Sequence, residues 1–156
     1  MEVMEKMREI ITTSTFEVLE KMFFIFLEPV EAEDLVFDVV TEIKFKGPVE
    51  GCMKMYLSEG LATLMVKNML SLEDEEVTAH LKEDCAREAI NMVCGNLLRT
   101  YDSNRIFNLS IPTYHAYHKN NNGPLPIHQE PQINQWLSVF DSDGESLGVL
   151  LQMQSS

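Results

Sequence analysis

Residues 83–99 read EDCAREAINMVCGNLLR, and everything else in the chain has to pack around this segment. Ala86, Ala89, Ile90, Val93 and Leu97 recur at helical spacing, which predicts an amphipathic helix with one buried side. The other side is unusual. Asn91 stands mid-helix, where an amide competes for nearby backbone hydrogen bonds. Gly95 follows one turn later and costs about 1 kcal/mol relative to Ala. At 100° per residue, Asp84, Glu88, Asn91 and Gly95 fall within about 60° of one another. This stripe offers carboxylates, an amide and a position without a side chain, where another surface can approach the backbone. The same spacing also fits a solvated helix face with Asn91 bonded to a neighbouring backbone group.

Working outward, the helix is expected to run from about Thr78 to Tyr101, after the acidic connection SLEDEEV at 71–77. A shorter helix is expected from about Ser58, with Ser58 as its N-cap. Before it, Leu35, Phe37, Val39, Ile43 and Phe45 alternate, and VEGCMKMYLS follows the turn signal KGP; together they predict two paired strands. Met4, Met7, Ile11, Val18, Met22 and Ile25 predict a first helix over about 2–28, ended by Pro29. Its end, KMFFIFLEP, is apolar nearly all round and is expected to be buried on several sides. After the central helix, IFNLSIPTYHAYH is expected to be extended because Pro112 opposes helix, and KNNNGPLP to be a loop. QWLSVFDSDGESLGVLLQMQ is a hairpin around DSDG. The fold class expected is α+β: one domain over residues 1–156, a mostly antiparallel sheet with long helices packed on it.

Composition narrows the function. The 156 residues carry a net charge of −13 and are 45% hydrophobic, so the chain has material for a core and a surface that repels nucleic acid and anionic membranes. A basic patch on a protein partner is compatible with it. No run of about 20 apolar residues and no secretory signal is visible. Cys52, Cys85 and Cys94 lack a disulfide-framework spacing and read as reduced thiols of a cytoplasmic protein.

DCAREAINMVCGNLL resembles the signature helix of the CheC/CheX/FliY chemotaxis phosphatases, with an acidic or small residue, then E-x-x-N, then Gly one turn on: here Asp84, Glu88, Asn91 and Gly95. FEVLEKMFF resembles the first helix of that family and LSIPT the strand after the signature helix, so the resemblance covers most of the chain. It implies a CheC-like fold and removal of phosphate from the aspartyl phosphate of a CheY-type response regulator. Glu88 and Asn91 are then the catalytic pair, Asn91 orienting a water in line with phosphorus and Glu88 pairing with a receiver lysine. Asp84 and Gly95 are partner-binding positions. The chain is expected to bring no cofactor or metal of its own; Mg²⁺ belongs to the phosphorylated partner. Some members carry the motif twice, but the first helix here reads TSTFEVLEK, giving Glu17 and Glu20. A carboxylate replaces the amide and cannot donate a hydrogen bond when ionised. The chain therefore resembles the single-motif CheX-type members, which are homodimers, and strand edges are the expected contact. A non-catalytic adaptor that docks a receiver domain is the rival reading.

Other candidates are weaker. His115 and His118 sit three apart in a predicted strand, on opposite faces, and His80 and His128 are remote. DSDGES lacks most ligands of a calcium loop. Neither a nucleophile elbow nor a phosphate-binding glycine loop is present. Cys94 lies off the polar stripe and reads as packing, since reactive thiols need a positive environment.

Overall fold

The structure is a computed structural model that describes residues 2–31, 36–117 and 133–154. Among these, three helices, α1 (Glu2–Phe23), α2 (Glu59–Leu70) and α3 (Ala79–Tyr101), accompany seven strands: β1 (Glu28–Val30), β2 (Val39–Lys46), β3 (Glu50–Leu57), β4 (Asn108–Leu109), β5 (Thr113–Ala116), β6 (Ile133–Ser142) and β7 (Glu145–Gln154). The strands form one antiparallel sheet in the order β1-β6-β7-β3-β2-β4, with β5 also paired to β2. This is the α+β architecture expected from the sequence.

Two local hairpins supply the centre. In β6–β7 the turn residues Asp143 and Gly144 take φ of 50° and 87°, the positive angles that a tight hairpin with right-handed twist requires and that Asp-Gly supplies. The DSDG segment is therefore a turn. In β2, Val39, Thr41, Ile43 and Phe45 are buried, as the alternation predicts. The two hairpins join where β3 lies against β7, from Glu50↔Gln154 to Leu57↔Leu147.

The helices cover one face of the sheet. Met53, Met55 and Leu57 of β3 and Leu147, Val149 and Leu151 of β7 pack with Ile11, Leu19, Ile90, Val93 and Leu97 in one core. A smaller cluster of Phe37, Tyr56, Val139 and Leu150 lies apart from that core. Ser58 caps α2, its side chain accepting from the Leu61 N–H at 3.4 Å, and Thr78 caps α3, accepting from the Leu81 N–H at 3.1 Å.

The end of α1 departs from expectation. The helix stops at Phe23 rather than near residue 28, six residues before Pro29. Phe24 adopts φ 54° and its N–H donates to the Glu20 carbonyl at 3.1 Å, an αL cap made by a residue that rarely accepts that conformation. From there the chain is extended, so Ile25 and Leu27 point inward while Phe24 and Phe26 are 65% and 71% exposed. The apolar run is thus one-sided rather than buried all round. It leads into β1, whose three residues pair with β6. Pro29 is tolerated there because an edge strand leaves one side unpaired. The expected extended segment after α3 is likewise split into β4 and β5 by Ser110–Pro112. Leu35, His118, His128 and the loop KNNNGPLP lie outside the described residues.

Candidate functional site

α3 is held by its apolar side. Cys85, Ala86, Ala89, Ile90, Val93, Cys94, Leu97 and Leu98 are buried. A fully buried Ile, Val or Leu stabilises by about 1.5–3 kcal/mol, so Ile90, Val93 and Leu97 outweigh the penalties of about 1 kcal/mol or less carried by Asn91 and Gly95. Tertiary packing therefore sustains a helix whose outer face is free to carry poor helix formers.

On that outer face Glu88 and Asn91 are exposed. Neither side chain makes a hydrogen bond or ion pair among the described residues. Asn91 is therefore not bonded to its own backbone, and its amide is available to an outside group. Asp84 is tied to His80 on the same helix at 3.2 Å. Gly95 faces open space among the described residues: a Cβ built there meets none of their atoms within 4 Å. Close packing against the described residues is thus not why residue 95 is a glycine.

Two hollows meet at Asn91. One, of about 430 Å³, is lined by Asp84, Arg87, Glu88 and Asn91 on α3 and by Ser110–Pro112 across from it. The other, of about 340 Å³, extends from Asn91 past Gly95 to Arg99, Arg105, Phe107 and Leu109. The four residues picked out in the sequence therefore all border these two hollows, which share Asn91. Sequence reading missed the opposite wall, residues 105–112, and the arginines. A clue was present: of four arginines, Arg8, Arg87, Arg99 and Arg105, two lie on the helix that carries the motif.

The cysteines lie off this surface or are inert. Burial pushes the Cys94 thiol up to about 12, and burial followed by the charges of Asp84 and Glu88 raises that of Cys85. All three cysteines are free. Among the described residues no three His, Cys, Asp or Glu side chains gather as a metal set, and no helix is long and apolar enough to cross a membrane.

The segment that carries this site falls within a match to a known sequence family. Residues 28–122 fit the model described as chemotaxis phosphatase CheX. The chain belongs to the CheX family. Solved structures agree on the fold. The CheX chemotaxis protein of Vibrio vulnificus superposes with a TM-score of 0.77 at 22% identity, over 95% of this chain and 96% of that one. A CheC-like protein from Shewanella gives 0.75 at 19% identity, over 95% and 97%. CheX from Borrelia burgdorferi, solved in complex with CheY, BeF3 and Mg, gives 0.72 at 17% identity, over 94% and 96%. No curated protein matches the sequence. CheX membership accounts for the α+β fold.

Proposed function

We propose that this CheX-family chain hydrolyses the aspartyl phosphate of a CheY-type receiver domain, Asn91 orienting the attacking water and Glu88 pairing with a receiver lysine. The observation that carries this reading is the exposed, unpartnered amide of Asn91 between two hollows. Phosphoryl transfer requires little covalent chemistry from the protein; it requires a nucleophile in line and charge stabilised. An amide both accepts from and donates to water and adds no negative charge beside phosphate. The water oxygen bonds to phosphorus as the bond to the aspartyl oxygen breaks, and inorganic phosphate and a free carboxylate leave. Glu88, a carboxylate, would be repelled by the phosphoryl group and serves better in an ion pair at the rim. Mg²⁺ travels with the phosphorylated partner. The Borrelia structure, in which a CheX is bound to CheY with BeF3 and Mg, supports a receiver as the partner.

Asn91→Ala should lower the acceleration of phosphate loss from a phosphorylated receiver by about 100-fold, because positioning is what is removed, while affinity changes little. Unchanged phosphate loss would turn the protein into an adaptor that docks without hydrolysis. The family reading also carries a homodimer, expected in light scattering at micromolar concentration; a stable monomer of 17.9 kDa would remove it. The outer strands among the described residues are short, two to four residues in β1, β4 and β5, so a strand-edge contact there would be correspondingly small.

A further inference from the structure

The wall facing Asn91 has properties that hydrolysis alone does not explain. Ile106 and Ile111 are 84% and 83% exposed, more than any other large hydrophobic residue described. They project from a segment that is firmly held. The Phe107 ring packs against Phe45 at 6.2 Å and Tyr101 at 6.5 Å between centroids. The Ser110 N–H donates to the Lys44 carbonyl at 2.8 Å, and the Lys44 N–H donates to Ser110 Oγ at 2.9 Å. Two isoleucines held outward on an anchored loop, with no cover among the described residues, would gain burial from a docking partner.

Charge agrees. In a chain of net charge −13, Arg87, Arg99 and Arg105 all line the two hollows. Arg99 hydrogen-bonds Asn96, and Arg105 pairs with Asp102 at 3.6 Å. Arg87 differs: it makes no hydrogen bond or ion pair among the described residues, and although its Nε is buried beyond a partner's reach, its side chain lines the hollow together with Asp84, Glu88 and Asn91. The terminal nitrogens of a guanidinium suit a phosphoryl or carboxylate oxygen.

We infer that residues 105–112 form a docking lip that seats the phosphorylated receiver over Asn91, with Ile106 and Ile111 as apolar anchors and Arg87 as the cation that reads the acidic, phosphorylated centre. The inference rests on the proposed function. Its occupant is a receiver rather than a second copy of this chain because the lip is continuous with the Asn91 hollows and the Borrelia CheX is solved in complex with CheY.

The test titrates a CheY-type receiver, loaded with beryllofluoride and Mg²⁺, against the full chain. Ile106→Ser combined with Ile111→Ser should raise Kd by about tenfold or more, as loss of two interface anchors does, and raise KM with turnover at saturation nearly kept. Asn91→Ala should show the reverse split. Arg87→Gln should weaken binding of the loaded receiver more than that of the unloaded one, with Arg87→Lys restoring part of the difference. Both isoleucines are exposed, so circular dichroism and melting should match the parent; Ile111→Ala alone should shift Kd in the same direction by less. Parent-like affinity in the double variant would overturn the lip and leave the phosphatase reading intact. A shift from dimer to monomer in that variant would also overturn it, by making the face a contact between copies. A parent protein that binds no receiver, or an Asn91→Ala variant with full activity, would instead overturn the proposed function and the lip with it.

Discussion

α1 and α3 both pack into the core beneath the sheet, both run for more than twenty residues, and both place polar residues three apart, Glu17 and Glu20 on one, Glu88 and the amide Asn91 on the other. Their surroundings differ. Glu17 is bonded to Lys21 one turn on at 2.8 Å, and that ammonium holds its carboxyl below the usual range. Seven residues after Glu17 the helix has already ended, and Phe24 stands there in the αL conformation. Seven residues after Glu88 the helix continues through Gly95 with open space beside it. On α1 the first carboxylate is satisfied within its own helix; on α3 Asp84 pairs with His80, but Glu88 and Asn91 make no side-chain bond among the described residues and line a hollow.

Below the loss expected for Asn91→Ala, the largest effect sharpening this contrast is that of Glu88→Lys. Reversing the charge opposite a partner lysine should weaken receiver binding by about 2 kcal/mol or more, roughly 30-fold in Kd. Reversing Glu17 should leave binding unchanged, and equal affinities for the two variants by calorimetry would erase the distinction between the helices.

Gly95→Leu comes next. None of the described residues occupies the space into which the side chain would point, so the fold should tolerate it and the helix should gain about 0.5–1 kcal/mol. The same side chain would fill the hollow beside Asn91, and KM for the phosphorylated receiver should rise several-fold. A lower melting temperature would place the role of Gly95 inside the fold instead.

The smallest effect expected is none. Glu20→Asn, made in the Asn91→Ala background, rebuilds E-x-x-N on α1. Phosphate release should not recover, because that helix ends before a Gly95-like gap. Recovered turnover would show that the pair alone suffices, whatever surrounds it.

Much of this was legible in the sequence, and unevenly so. The polar stripe of α3 was readable because helical periodicity is a local rule and Ile90, Val93 and Leu97 mark the buried side without ambiguity. The resemblance of DCAREAINMVCGNLL to a signature helix then selected the family. The end of α1 was misread for the opposite reason. KMFFIFLEP is apolar on every side, so it carries no period by which helix and strand can be told apart. The lip was invisible because Ile106 and Ile111 look like core residues until their neighbours are known.

Sequence by itself determined the elements whose signals lie within a few residues: α3 between the Thr78 cap and Asp102, the hairpin around Asp143 and Gly144, and the side of α3 on which Glu88 and Asn91 stand. Tertiary structure alone decided where α1 stops, that β3 joins β7 about a hundred residues away, and that residues 105–112 face Asn91 across two hollows. The physical reason is range. Caps, turns and periodicity are set by bonds between near neighbours, whereas strand order and facing walls follow from burying one common apolar face, a free energy that no single segment contains.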